Sequence, residues 1–124
     1  MKQKNIVTKT LADAVDFDGK VIQKISFDLE HINRGWDSLK SDYNPTRRSN
    51  YTAGDIVEFF EQFGFYTIEW EDKQGGNKET VTVRGKKHYR YTAYVTDHKA
   101  SQQKKIVIDI PYDFKDEGIV ITVY

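Results

Sequence analysis

The sequence predicts an α+β fold, in which one or two N-terminal helices pack on a twisted antiparallel sheet of four to five strands. Two observations carry this prediction. Apolar residues recur at helical spacing between Thr52 and Phe63, and strand-like segments follow one another after Gly64. The turns between those segments are short and either polar or rich in glycine, which is typical of an antiparallel meander. The 124 residues fit a single domain, residues 1–124.

The first part of the chain is predicted to form a helix, a strand and a loop. In residues 1–19 the apolar residues line one side of a short helix that Gly19 ends: Ile6, Val7, Leu11, Ala14 and Val15. The stretch from Lys20 to Leu29 is enriched in β-branched and aromatic residues, which favours a strand. Residues 42–51 are predicted to form a loop, because they contain the turn formers Asn44-Pro45 and Ser49-Asn50.

A helix that opens at Thr52 is the clearest element of the sequence. Thr52 and Asp55 form a capping-box pattern, and the apolar stripe that follows is wide enough to pack on a sheet. Gly64 is a candidate C-cap for this helix. Strands are then expected at residues 65–72, 79–83, 88–97, 105–110 and 119–124.

Composition excludes several classes of protein. The chain has no cysteine, so disulfides and thiolate metal sites are ruled out. Its three histidines are scattered without ligand spacing, and no glycine-rich phosphate loop is present, so we expect no metal and no cofactor. No stretch is long enough to span a membrane, and the N-terminus lacks the apolar core of a signal peptide. We expect a cytoplasmic site of action, and export as part of a larger toxin stays open.

Charge is zero overall but unevenly distributed along the chain. Residues 55–72 carry six carboxylates and no lysine or arginine, whereas residues 73–90 carry six cations against the single carboxylate of Glu79. This segregation permits a basic face on a neutral molecule. The alternative is that the two blocks face each other on neighbouring strands and pair across a hairpin.

Candidate catalytic groups gather between His31 and the start of the helix at Thr52. RNA cleavage without a metal needs an acid, a base and cations around the phosphate. His31 is a candidate acid or base, and Arg34 is a candidate cation. Further phosphate-binding groups lie beside the helix N-terminus, itself a natural anion site: Arg47, Arg48, Ser49 and Thr52. In the alternative interpretation the histidine caps a strand, the arginines are solvated, and the hydroxyls are ordinary N-caps.

Other candidate substrate contacts lie elsewhere in the sequence. Trp36 is a candidate base-stacking residue, or it fills a gap between helix and sheet. Lys86 and Lys87, with His88, form either a substrate-facing basic strip or a solvated strand end. Tyr124 either orients a phosphate or finishes an edge strand.

The order of a strand, a histidine with a nearby arginine, the RRSNYT run opening a helix, and an antiparallel sheet ending in IVITVY resembles the barnase–EndoU–colicin–RelE superfamily of small RNases. The resemblance covers residues 20–124 and is closest to toxin domains. It implies a metal-independent endoribonuclease that cleaves RNA by 2′-hydroxyl attack, with an antitoxin or immunity protein as partner. It also implies roles for the residues: His31 as acid or base, Arg34 as a phosphate-side cation, Arg48, Ser49 and Thr52 as the phosphate cradle, and Tyr124 or Thr122 completing the site.

Two departures from the superfamily leave other functions open. Its toxins are often strongly basic, and many place a second histidine close to the first, whereas His88 and His98 lie far along this neutral chain. One alternative is a non-catalytic binding module of the same fold, an immunity or accessory protein whose acidic block meets a basic partner. Another is an RNA or DNA binder that uses the basic strip from Lys73 to Arg90.

Overall fold

A computed structural model describes residues 6–33, 36–37, 42–43, 50–71, 76, 78–99, 101–113 and 116–123. For residues 36–37 and 42–43 only the backbone is described. The predicted architecture of helices on a four- to five-stranded antiparallel sheet is wrong. The described part of the chain is mostly strand and forms one seven-stranded mixed sheet, with two α-helices and a separate two-stranded sheet.

The main sheet runs in the order β1-β2-β9-β8-β7-β5, and β6 pairs with the part of β7 that β5 leaves free. Its strands are β1 (Ile6–Phe17), β2 (Lys20–Asp28), β5 (Thr67–Trp70), β6 (Lys78–Val83), β7 (Lys86–Asp97), β8 (Gln102–Pro111) and β9 (Glu117–Val123). The short strands β3 (Trp36–Asp37) and β4 (Asp42–Tyr43) pair only with each other. All neighbours in the main sheet are antiparallel except β2 and β9, which are parallel.

The predicted helix in residues 1–19 is also wrong, because these residues form the long strand β1 from Ile6 onward. Asp18 and Gly19 both have positive φ values, 56° and 79°, as a two-residue hairpin turn between β1 and β2 requires. Arg84 and Gly85, at 52° and 80°, turn β6 into β7 in the same way. The five strands expected after Gly64 are confirmed, with ends shifted by up to three residues.

The helix α2 (Ala53–Glu61) confirms the prediction at Thr52. Its capping box is formed: the Asp55 N–H donates to the Thr52 hydroxyl over 3.1 Å, and the Thr52 N–H donates to the Asp55 carboxylate over 2.9 Å. The helix ends earlier than expected, at Glu61, and a 3₁₀ turn (Phe63–Phe65) follows. A second helix, α1 (Leu29–Asn33), follows β2 directly.

The core lies between α2 and one face of the sheet. Ile56, Phe59 and Phe60 of α2 are buried in the same cluster as alternate residues of β7 and β8: Tyr91, Ala93, Val95, Ile106, Ile108 and Ile110. The sheet curls over this core, since Phe17 at the end of β1 contacts Trp70 of β5 and Tyr91 of β7. The intervening residues of β7 and β8 point to the opposite face, where the candidate site lies.

Candidate functional site

The face of the sheet opposite α2 carries a row of cross-strand neighbours at its centre. Arg90 of β7 pairs with Asp109 of β8, and Asp109 pairs with Ile119 of β9. Strand alternation places His88, two residues before Arg90, on the same face. The helix α1 lies at the end of β2 and contacts β9, so it brings His31 to the same face.

Asp109 is the buried anchor of this row, with only 1% of its surface exposed. Arg90 donates two hydrogen bonds to its carboxylate, from Nε to Oδ1 over 2.7 Å and from Nη2 to Oδ2 over 2.9 Å. These bonds raise the pKa of the Arg90 guanidinium against the opposing effect of burial, so it stays charged. A buried carboxylate is tolerated only when it is paired in this way.

His88 is held by the same carboxylate. Its Nδ1 lies 3.3 Å from Asp109 Oδ2, and the side chain is buried. If the Nδ1 proton is donated to the carboxylate, Nε2 is the basic atom of the neutral ring. The pair of His88 and Asp109 thus has the arrangement of an oriented imidazole base.

A cavity of about 590 Å³ lies over this row. The polar part of its lining is mostly cationic, with His31, Arg84, Lys86, His88 and Arg90 as well as the carboxylates Asp28 and Asp109. The apolar part of the lining comes from β1, β2, β6 and β9: Ile6, Phe27, Val83, Ile119, Val120 and Ile121. A ligand with an anionic part and a flat or apolar part fits such a lining.

Of the predicted site residues, the structure brings His31 and Lys86 together in this cavity. Lys87 points to the other face of β7, as the alternation along the strand requires. Thr52 lies elsewhere, and its hydroxyl serves the capping box of α2. The predicted residues Arg34, Arg47, Arg48, Ser49 and Tyr124 lie outside the described residues, as does the side chain of Trp36.

The first turn of α2 faces a second cavity, of about 450 Å³, whose character is acidic. Asp55, Glu58 and Asp97 line it, and Lys104 donates a hydrogen bond to the Tyr51 hydroxyl at its wall over 3.1 Å. Asn33 links α1 to this region, exchanging two 2.9 Å hydrogen bonds with the Tyr51 backbone. These hydrogen bonds tie the end of α1 to the residue before the N-cap of α2. His31, on the same short helix, nevertheless lines the other cavity.

His88, Arg90 and Asp109 were not predicted as a catalytic group. The available signal was the spacing Lys86-His88-Arg90, since a period of two places all three on one face of a strand. The partner carboxylate Asp109 stands in the otherwise apolar stretch IVIDI, residues 106–110, where a charged residue requires a buried partner.

Comparisons with protein families, curated proteins and solved structures give no match to this chain. Among the described residues no three histidine, aspartate or glutamate side chains are grouped so that they could hold a metal ion. Neither described α-helix is long and apolar enough to cross a membrane.

Proposed function

We propose that this protein is a metal-independent endoribonuclease that holds an RNA phosphodiester in the cavity between α1 and the β6–β7 hairpin. One observation carries the proposal: two histidines far apart in the sequence, His31 and His88, line a single cavity with three cations. Such a set supplies the acid, the base and the phosphate-binding charge that cleavage without a metal needs. A second histidine in the same cavity also supports the proposed resemblance to the RNase superfamily, many members of which use two histidines.

In this proposal His88 is the base and His31 the acid. Nε2 of His88, oriented by Asp109, takes the proton of the 2′-hydroxyl, and the oxygen attacks the neighbouring phosphorus. The bond from phosphorus to the 5′-oxygen breaks, and His31 gives that oxygen a proton. The products are a 2′,3′-cyclic phosphate and a free 5′-hydroxyl.

The cations have separate tasks. Arg90 commits its Nε and Nη2 to Asp109 and so mainly fixes the carboxylate that orients His88. Lys86 and Arg84 at the end of the hairpin are exposed and lie at the rim of the cavity. They are placed to stabilise the charge that develops on the phosphate in the transition state.

The test is cleavage of single-stranded RNA and tRNA by purified protein in EDTA, with the ends of the products identified by mass spectrometry. We expect cyclic phosphate ends. His31→Ala and His88→Asn are each expected to lower the rate by about 10²- to 10⁴-fold, the usual contribution of a positioned acid or base. Asparagine at position 88 can still donate a hydrogen bond to Asp109, so this variant keeps the buried carboxylate partnered.

His98→Ala is the matched control. This third histidine is exposed and contacts Thr67 at the far end of β7, with 2.7 Å between Nε2 and the threonine hydroxyl. Its removal should leave the cleavage rate unchanged. RNA that stays intact with the wild-type protein, or a rate that His31→Ala and His88→Asn leave unaltered in folded protein, refutes the proposal.

A second candidate function is that of a non-catalytic binding module, an immunity or accessory protein. The observation that favours it is a third cavity, which Phe65 lines together with the carboxylates Asp13, Asp16 and Glu61, and Phe65 is 86% exposed. An exposed aromatic residue with carboxylates around it suits a partner that carries basic and apolar side chains. A stable complex with such a protein, with intact RNA and normal growth on expression, would select this function.

A further inference from the structure

A pair of stacked tyrosines lies on the face of the β6–β7 hairpin that points away from the cavity. The rings of Tyr89 and Tyr112 have centroids 4.3 Å apart and planes 22° from parallel. Tyr112 is anchored at two further points: its N–H donates to the Lys87 carbonyl over 3.1 Å, and its hydroxyl lies 3.0 Å from that of Thr80. The ring of Tyr112 is therefore held in a fixed position.

The stack is surrounded by lysines. Nζ of Lys20 and Nζ of Lys78 lie 4.7 Å and 4.8 Å from the centroid of Tyr89. Lys78 also forms an ion pair with Asp18, 2.5 Å away. Lys87 is exposed on the same face as Tyr89, two residues along β7.

Packing against the core does not explain why Tyr112 is exposed. Its side chain is 45% exposed, although Tyr89 beneath it is half-buried and packs against the core. Aromatic rings that lie open beside cations are the usual means by which proteins bind single-stranded nucleic acid, because every base can stack on them.

We propose that Tyr112, backed by Tyr89 and flanked by Lys20 and Lys87, stacks a base of the single-stranded RNA whose phosphodiester lies in the cavity; this tyrosine platform rests on the proposed function. The geometry of β7 connects the two sites. Lys86, His88 and Arg90 face the cavity, and Lys87 and Tyr89 face the platform, so the two surfaces are the opposite sides of one hairpin. An RNA chain that leaves the cavity past Arg84 and Gly85 rounds the hairpin turn and reaches the platform.

The experiment measures binding apart from cleavage. A fluorescent single-stranded oligonucleotide with 2′-deoxy sugars cannot be cut by 2′-hydroxyl attack, and its affinity is read by anisotropy. Tyr112→Ala is expected to weaken binding roughly tenfold, in the range measured for the loss of one base–aromatic stack. Tyr112→Phe keeps the ring and should bind like the wild type.

Two controls make the result specific. Phe65→Ala removes the most exposed aromatic side chain of the described residues, in a cavity that it lines with Asp13, Asp16 and Glu61, and should leave the affinity for the oligonucleotide unchanged. A dinucleotide that occupies the cavity alone should bind wild-type protein and Tyr112→Ala equally.

The outcomes separate the platform from the nuclease. Wild-type affinity in Tyr112→Ala overturns the platform, and it does so whether or not RNA is cut. Loss of affinity in Tyr112→Phe also overturns it, because the hydroxyl contact with Thr80 would then be responsible. Weaker binding in Tyr112→Ala alone, with RNA left intact by the wild type, supports the platform and refutes the nuclease.

Discussion

Thr92 and Thr122 are buried on the cavity side of the sheet, each with 1% of its surface exposed. They flank Val107, since Thr92 and Thr122 are its cross-strand partners on β7 and β9. Neither hydroxyl has a hydrogen-bond partner among the described residues. A buried hydroxyl without a partner lowers the free energy of unfolding, because it gives up its hydrogen bonds to water on folding and gains none in return.

Thr92→Val is therefore expected to stabilise the protein. Valine has nearly the shape of threonine and removes the unpaired hydroxyl, so the free energy of unfolding should rise by about 1 kcal/mol. Urea denaturation followed by circular dichroism measures the change. Thr8→Val is the control: its hydroxyl lies 3.0 Å from that of Ser26, so this variant should give no gain. Equal stabilisation by both variants would contradict the explanation.

The sequence identified a candidate catalytic group but not the residues that lie beside it in the folded protein. His31 was selected because imidazole titrates near neutral pH, and it does line the cavity. His88, which lines the same cavity, lies almost half of the chain length further along the sequence, and Asp109 lies on a third element. Local spacing carries no information on such pairings, because the order of strands in the sheet decides them.

Among the elements, α2 was predictable and β1 was not. The capping box and the apolar stripe of α2 are local patterns, and both are realised. In β1 the pairing with β2 shifts register, so that residues 11–14 stand opposite Gln23 alone. This bulge breaks the alternation that marks a strand and leaves apolar residues at spacings that imitate a helix.

Asp18 connects the turn between β1 and β2 to β6 and β7, and we call these contacts the Asp18 latch. Its carboxylate accepts hydrogen bonds from Lys78 over 2.5 Å and from the Tyr91 hydroxyl over 3.2 Å. The hydrogen bond from Lys78 lowers the pKa of Asp18 below the ordinary value of 3.8, outweighing burial. The stabilisation is therefore complete above pH 3.8 and is lost as the pH falls through the lower pKa of the folded state.

Asp18→Asn tests this latch, since asparagine followed by glycine suits the same hairpin turn. We expect a lower melting temperature than wild type at pH 7, and a difference that narrows as the solution is acidified below pH 3.8. The effect should be small because the Asp18 side chain is 45% exposed and solvent screens the ion pair. A melting-temperature difference that stays constant from pH 7 to acid pH would rule the latch out.

In the molecule as a whole, no local sequence pattern predicts the parallel pairing of β2 with β9. It joins the first hairpin to the last strand and sets α1 beside β9, and so creates the cavity.

The positions of the two charge blocks follow from the same topology. The described carboxylates of residues 55–71 lie on α2, on β5 and just beyond it, the described cations of residues 78–90 lie on the β6–β7 hairpin, and β5 and β6 pair with different parts of β7. Among the described residues the two blocks do not pair with each other across a hairpin, and the opposed charges of Glu79 and Arg90 lie within the second block.

The molecule therefore has zero net charge and a basic hairpin, and the proposed function predicts that RNA binding depends on the hairpin rather than on the net charge. Lys86→Glu and Lys99→Glu change the net charge equally. Lys86 lies at the cavity, whereas Lys99 is exposed at the turn that ends β7, at the opposite end of the strand. Each lysine that neutralises a phosphate releases counterions, which contributes about −0.7 to the slope of log affinity against log salt for a single strand. We expect Lys86→Glu to weaken oligonucleotide binding and make that slope shallower by about 0.7 or more, while Lys99→Glu leaves both nearly unchanged. Anisotropy titrations over a series of salt concentrations give both quantities, and equal losses in the two variants would mean that net charge alone governs binding.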